Sequence, residues 1–487
     1  MPYSQPWTLP MTSPALSDLA NIVGSAHVLT APEDMAAYTR DWRGRFSGNA
    51  AAVVRPRSTA EVAGIMAWAF REGRRVVPQG GNTGVVGGGI PDDTGNEIIV
   101  SLGRMDRIRS IDRTNDTMVV EAGCILANVQ AAAVEADRLF PLSLASEGSC
   151  QIGGNIAANA GGLEVVRYGA MRELVLGLEV VLPNGDVLGE IAQLRKNNTG
   201  YDLKHLFIGS EGTLGIVTAA ALKLFPRPRS TATAFCGLQS PEDALEILSR
   251  VKEQCGARLS TFEIISARQL EVVFRHIKTA SPLDKRHSWY LLIEITDSIL
   301  DAGLSELLMD TLSACIEGGI LSDAVIAQSE AQRSEFWALR HVISESNLHA
   351  GRVLSHDTSV PVSSCAAFIR QTERALSGRS DMELTFVGHL GDGNVHAVAI
   401  FDREKVGSAE FEARASEVSN IVYEISASLG GSISAEHGVG VSLRDKLATF
   451  KDPRELSLMR SIKAVFDPTG IMNPGKLFSA CPSNATS

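Results

Sequence analysis

Residues 152–162 read Ile-Gly-Gly-Asn-Ile-Ala-Ala-Asn-Ala-Gly-Gly, with Arg167-Tyr168-Gly169 close behind. Two further segments are of the same kind. Pro78-Gln-Gly-Gly-Asn-Thr-Gly84 follows a Val76-Val77 strand, and Gly87-Gly88-Gly89 comes soon after it. Asn198-Thr-Gly-Tyr-Asp-Leu-Lys204 runs into Ile208-Gly-Ser-Glu-Gly-Thr-Leu-Gly215. Consecutive glycines let backbone N–H groups turn toward a pyrophosphate and approach it closely. No segment carries the G-x-G-x-x-G or G-x-x-x-x-G-K-[ST] spacing, which disfavours a Rossmann or P-loop reading. Three polar glycine-rich loops within residues 51–230 suit an extended ligand bearing phosphates. Short Val/Ile runs (AAVVRP, EIIVSL, TMVVEAG, LVLGLEVV) interleave with helical patterns at Ser58–Glu72 and Ile125–Ala136. An α+β class is expected. Pro183-Asn-Gly-Asp186 reads as a hairpin turn.

Outward from this core, 487 residues exceed what one hydrophobic core supports. Phe225-Pro-Arg-Pro-Arg229 reads as a linker. The expected domains are 1–228, 229–440, and a closing segment 441–487 whose Val465–Phe478 stretch (VFDPTGIMNPGKLF) is a shaped loop. Longer helices are expected over Pro241–Gln254, Ala302–Glu317, Gln332–His349 and Ala409–Ser428, with a strand at Trp289–Thr296. Net charge −11 argues against nucleic acid and anionic membrane surfaces. Seven scattered cysteines without CxxC read as reduced thiols. No run approaches the ~18 apolar residues of a membrane span, and the N-terminus has no leader pattern, so a cytoplasmic protein is expected.

Gly388–His396 reads GHLGDGNVH, and Ala435–Gly438 reads AEHG. Two imidazoles and a carboxylate suit Zn²⁺ or another borderline divalent ion. A hairpin turning at Gly391-Asp-Gly-Asn394 would bring His389 and His396 to about 5 Å across its strands. Adjacent strand residues point to opposite faces, so Glu436 and His437 need an irregular loop to share a site. The spacing is not H-E-x-x-H, which counts against a metal-dependent hydrolase. In Gln332–His349, Trp337, Ala338, Leu339, Val342 and Ile343 form an apolar stripe, with Arg340 and Ser344 four apart. Arg340 offers a planar fork for a carboxylate.

Six motifs in order, PQGGNTG, PLSLASEGSCQIGGNIAANAGG, NNTGYDLKHLFIGSEGTLGIVT, GHLGDGNVH, AEHGVG and FDPTGIMNPGKLF, span almost the whole chain. It closely resembles the vanillyl-alcohol oxidase/p-cresol methylhydroxylase flavoprotein superfamily. The nearest branch is that of the D-2-hydroxyglutarate and D-lactate dehydrogenases, with the glycolate oxidase flavoprotein subunit nearby. The resemblance implies a two-subdomain FAD-binding domain followed by an α+β substrate domain. It assigns FAD to Pro78, Gln79, Gly80, Gly81, Asn82 and Thr83 in the first loop. In the second it assigns Glu147, Gly148, Gly153, Gly154, Asn155, Asn159, Gly161 and Gly162. In the third it assigns Glu211, Gly212, Gly215, Ile216 and Val217, and in the tail Asn473 and Lys476. No histidine lies between His27 and His205, so the FAD is expected to be non-covalent.

By the same resemblance His389, His396 and Glu436 ligate the metal, and His437 is the general base that removes the substrate hydroxyl proton. Arg340, Ser344, His389 and Asn394 hold the substrate, and a hydride passes from its α-carbon to flavin N5. The product is a 2-oxo acid. Electrons are expected to leave to an electron-transfer flavoprotein or a quinone-linked acceptor, from a homodimer. The alternative is a non-catalytic flavoprotein subunit of a glycolate-oxidase-like complex, which the presence of all four metal and base residues opposes. The chain departs from its dicarboxylate-oxidising relatives at Ser355, where they carry lysine, and at Val398, where they often carry asparagine. Losing the lysine removes roughly 1.5–3 kcal/mol, or about ten- to a hundred-fold in binding, from a distal carboxylate. Arg352 and His349 are the nearby cations that could replace it.

Overall fold

The computed structural model describes residues 12–189 and 191–479. Contacts divide the chain into two units. The first comprises the described residues of Met1–Gly161, Ala170–Pro226 and Glu436–Ser487, and the second Gly162–Gly169 and Arg227–Ala435. The contact boundaries thus fall at 226 and 435, against expected lines at 228 and 440, and the second unit takes in a short excursion at Gly162–Gly169. Phe225-Pro226 is not free linker, because it pairs as a short strand with Arg138–Leu139.

The first unit holds two sheets. One has the order Val28–Leu29, Ala50–Val54, Glu97–Ser101, Arg75–Gln79, its last three strands parallel. Helix Thr59–Glu72 connects two of these strands, capped by the Ser58 hydroxyl accepting from the Glu61 N–H. The other sheet is antiparallel, in the order Ile108–Asp112, Thr117–Glu121, Ile216–Lys223, Val175–Val181, Val187–Leu188. Its last hairpin turns at the expected Pro183–Asp186, with Gly185 at φ +91°.

The second unit is one seven-stranded antiparallel sheet. Its order is Asp323–Ile326, Ser230–Leu238, Trp289–Asp297, Leu259–Ser266, Met382–His389, Asn394–Phe401, Arg352–Ser359. Period-two alternation sends Phe262, Ile264, Leu291, Ile293, Ala397 and Ala399 into one apolar core. Helices Pro241–Cys255, Leu304–Glu317 and Cys365–Ala375 contribute to that same core. The opposite face carries Ile265, Leu292, Val387, Val398 and Ile400. Helices Ala267–His276 and Glu330–His341 cover it with Leu270, Val273, Phe336, Trp337 and Leu339.

The helix expected over Gln332–His349 is two: Glu330–His341 and Ile343–Ala350, separated at Val342. The buried stripe is Phe336, Trp337, Leu339 and Ile343, while Ala338 is exposed. Among the described residues no helix is long and apolar enough to cross a membrane.

Candidate active site

In the second unit, strands Met382–His389 and Asn394–Phe401 form the expected hairpin. The register pairs His389 with Asn394 and Val387 with His396, so the two histidines sit diagonally rather than opposite. Their ring centroids lie 5.9 Å apart at 82°. The tight turn rests on Gly393, at φ +91°, and on the Asp392 carboxylate accepting from the Asn394 N–H at 3.1 Å. Gly388 lets the strands close up, since a Cβ there would meet the Asn394 carbonyl oxygen at 2.3 Å.

Beside His389 the register places Glu263, a residue sequence reasoning missed. It is wholly buried, and it joins two of the expected site residues. Its Oε1 accepts from His389 Nδ1 at 2.5 Å, and its Oε2 accepts from Arg340 Nε at 2.6 Å. Burial alone would raise its pKa, but His389 and Arg340 outweigh that and hold the carboxyl down at about 2. With Nδ1 committed as the donor, His389 keeps Nε2 as the lone-pair face. Arg340 has no protein partner for its Nη groups among the described residues.

Asn394 was expected to contact substrate. Its Nδ2 is instead spent on Asp357 Oδ1 at 3.1 Å and the Thr358 carbonyl at 2.9 Å, leaving a buried Oδ1 acceptor without a hydrogen-bond partner. Asp357 is the cross-strand partner of His396. Its Oδ2 accepts from the Ala435 N–H at 3.1 Å, and its carbonyl accepts from the same group. This clasp holds the chain one residue before Glu436. Ser344 lies beyond the break at Val342, in the following helix, and is exposed.

Ser355 and Val398 are direct cross-strand partners, on the same sheet face as Asp357 and His396. Val398 is buried in the apolar cluster and Ser355 is exposed. Arg352, three positions from Ser355, alternates onto the other face, and His349 is exposed beside Glu345.

In the first unit, Glu436 and His437 open an irregular segment without strand structure. His437 Nε2 lies 3.9 Å from Glu436 Oε1. Just beyond them, Glu211 accepts from the N–H groups of both Val439 and Gly440 at 2.7 Å. Glu211 was expected to bind cofactor. Its carboxylate is committed to this loop, and burial pushes its pKa up against the pull of the two bonds. Gly438 has φ +83°, and a Cβ there would stand 2.9 Å from Glu211 Oε1.

The glycine-rich loops separate into two kinds. Gly81 and Gly153 are needed for packing: a Cβ would meet the Ser149 carbonyl oxygen at 2.1 Å and Ala122 Cβ at 2.8 Å. Gly84, Gly148 and Gly154 face open space, with nothing within 4 Å of a Cβ. The N–H groups of Gly81, Asn82, Thr83 and Gly84 have no acceptor among the described residues. Gln151 Oε1 and Asn473 Oδ1 are buried acceptors without partners. Open glycines, unspent N–H donors and orphan acceptors fit a group with a pyrophosphate and with N–H or O–H donors, which FAD is. Asn82, Asn159, Glu211 and Asn473 all adopt positive φ, so the loops are shaped by backbone conformations that few residues tolerate.

Several expected cofactor residues also make hydrogen bonds within the protein. Gln79 donates to the Tyr38 and Gly89 carbonyls, and Asn159 accepts from the Arg172 N–H. Asn473 Nδ2 bonds the Gly88 and Glu211 carbonyls. Buried Lys476 lies 4.0 Å from Glu97; burial lowers its pKa and raises that of Glu97.

A family model described as "FAD binding domain" matches residues 50–189, and one described as "FAD linked oxidases, C-terminal domain" matches residues 227–477. The mitochondrial D-2-hydroxyglutarate dehydrogenase of Arabidopsis thaliana is 38% identical over 469 residues, covering 96% of this chain and 82% of the relative. The D-2-hydroxyglutarate dehydrogenase of Xanthomonas citri pv. viticola is 37% identical over 477 residues, covering 97% and 99%. Among solved structures, p-cresol methylhydroxylase with substrate bound superposes with a TM-score of 0.74 at 17% identity, over 95% of this chain and 96% of that one. That last likeness speaks to the fold.

Proposed function

The chain belongs to the FAD-linked oxidases, and from that premise we propose that it oxidises a D-2-hydroxy acid to the 2-oxo acid, using non-covalent FAD and a divalent metal. The observation that carries the reading is the buried Glu263 carboxylate, which touches both a metal-type histidine and an anion-type arginine. His389, His396 and Glu436 make up the ligand set, a His₂–carboxylate group suited to Zn²⁺ and its neighbours. The Asp357 clasp on Ala435 supports the third ligand, because the peptide bond that follows leads directly to Glu436.

Bound FAD supplies a two-electron acceptor at the substrate α-carbon, and a bound divalent ion supplies positive charge that makes the hydroxyl more acidic. The Nη edge of Arg340 holds the substrate carboxylate. His437 takes the hydroxyl proton, and the Glu211 clasp keeps its loop in place. The N–H groups of Gly81–Gly84 hold the pyrophosphate, and Gln151 and Asn473 accept from the cofactor's donors.

The substrate class includes D-2-hydroxyglutarate, on which the named relatives act, and D-lactate. Ser355 and Val398 favour acids without a distal carboxylate within that class. Electrons leave to an electron-transfer flavoprotein or a quinone-linked acceptor, and a homodimer is part of the proposal. Among the described residues six cysteines are buried and free, which supports a reducing compartment, and the cytoplasm is the one proposed. The test is anaerobic titration of the yellow protein with a panel of short, aromatic and dicarboxylic D-2-hydroxy acids. Loss of flavin absorbance with at least one is expected; no bleaching with any of them refutes the proposal.

A further inference from the structure

Helix Glu330–His341 crosses the functional face of the second-unit sheet and is tied to it by two arginines seven residues apart, two helical turns. Arg333 meets Glu294 and Arg340 meets Glu263. The two bridges are built differently. Arg333 engages Glu294 through both Nε (2.7 Å) and Nη2 (2.9 Å), and its Nη1 takes Glu330 at 2.8 Å, so all three guanidinium nitrogens are engaged by protein carboxylates. Glu294 also accepts from Thr233 Oγ1 and Trp337 Nε1, and among the described residues no histidine is a hydrogen-bond partner of it. That is how a bridge serving only to dock the helix looks.

Arg340 meets Glu263 through Nε alone, at 2.6 Å, which leaves the two-nitrogen edge that matches a carboxylate. The second oxygen of Glu263 is given to His389 Nδ1, whose strand neighbour it is. A histidine that donates from Nδ1 presents Nε2 as its only lone pair.

We propose that Glu263 is a positioning residue that sets two groups at once: through Oε1 it holds His389 in the tautomer and rotation that ligate through Nε2, and through Oε2 it aims the Nη edge of Arg340 at the substrate carboxylate. The inference rests on the reading of His389 as a metal ligand and Arg340 as the carboxylate holder. It adds that metal binding and acid binding are coupled through one buried carboxylate, with Glu294 as a purely structural counterpart on the same helix. Carboxylates behind ligating histidines typically account for ten- to a hundred-fold in metal affinity.

The test compares E263Q, E263D and E294Q as FAD-loaded full-length protein. Three readouts are taken on each: the flavin-to-protein ratio, the Zn²⁺ dissociation constant by competition with a chromophoric chelator, and kcat and KM for the best hydroxy acid of the panel. A glutamine at 263 must turn its NH₂ to one partner and so loses either the His389 or the Arg340 bond. For E263Q, Zn²⁺ affinity is expected to fall about ten- to a hundred-fold and KM to rise about ten-fold at unchanged flavin content. For E263D, which keeps the charge on a shorter arm, partial recovery of both is expected; it also stands in should E263Q fail to fold. E294Q is expected to lower the melting temperature while leaving Zn²⁺ affinity and KM at wild-type values. Wild-type Zn²⁺ affinity and KM in both 263 variants overturn the inference, as does an E294Q variant that loses both as E263Q does. If the wild type itself binds no Zn²⁺ and is reduced by no hydroxy acid, the proposed function fails and takes this inference with it.

Discussion

Replacing Glu211 by glutamine isolates what the clasp behind His437 contributes. Each carboxylate oxygen accepts one backbone N–H, from Val439 and Gly440, both at 2.7 Å and both within three residues of His437. Bonds to a charged acceptor contribute about 1.5–3 kcal/mol each. Glutamine retains one acceptor and turns its NH₂ toward the second N–H, so one bond is lost and two donors face each other. The combined local cost is about 2–4 kcal/mol. The flavin side should survive, because Asn473 bonds the Glu211 carbonyl oxygen rather than its carboxylate. What loosens is the loop at Gly438–Gly440. Displacement of a catalytic group by about 1 Å costs on the order of a hundred-fold in rate. E211Q should therefore bind FAD normally and show flavin reduction slowed ten- to a hundred-fold in anaerobic stopped-flow with saturating hydroxy acid. Wild-type reduction rates in a variant with unchanged thermal stability would refute the argument; loss of FAD would show that Glu211 serves the cofactor after all.

Four other perturbations have defined outcomes. Ser355→Lys places a cation on the sheet face shared by His396 and Asp357. It should improve kcat/KM for D-2-hydroxyglutarate about ten- to a hundred-fold relative to D-lactate, and an unchanged ratio would show that position 355 does not face the substrate tail. His356 is buried and neutral, with Nδ1 at 2.9 Å from the Ala397 carbonyl and Nε2 at 3.1 Å from Ser419 Oγ, and burial lowers its pKa from 6.5 to about 4. The unfolded chain binds that proton first, so the contribution is fully present above pH 6.5 and is lost as pH falls toward 4. It amounts to roughly 3 kcal/mol; urea midpoints at pH 7.5 and pH 4.5 for wild type and His356→Gln should show it, and an equal pH loss in both would refute it. Gly154→Ala adds a methyl to open space and should lower flavin content while leaving the apoprotein's melting temperature unchanged. Gly81→Ala, which drives a Cβ to 2.1 Å from the Ser149 carbonyl oxygen, should lower the melting temperature itself.

The parts that were legible in the sequence are those where chemistry is local. The GDGN turn and the Pro183–Asp186 hairpin each need particular residues at particular offsets, and each stands where those offsets put it. Glu263 was missed because its strand, LSTFEIIS, is buried at all eight positions and so shows no alternation to say which face matters. A signal was present all the same. A carboxylate inside an apolar strand must be paired, since an isolated buried charge costs several kcal/mol, and Glu294 in WYLLIEITD repeats the pattern in the adjacent strand. Two such glutamates ask for two cations, and Arg333 and Arg340, two turns apart on one helical face, are there in the sequence to supply them. What no local rule supplies is the assignment of partners, because a one-residue slip in the pairing of Leu259–Ser266 with Met382–His389 would turn Glu263 away from His389. The register settles it, and with it settles that the arginine expected to hold substrate reaches the metal-type histidine through a third residue. Sequence motifs marked the ends of that chain of contacts, and the buried carboxylate between them is a property of the sheet.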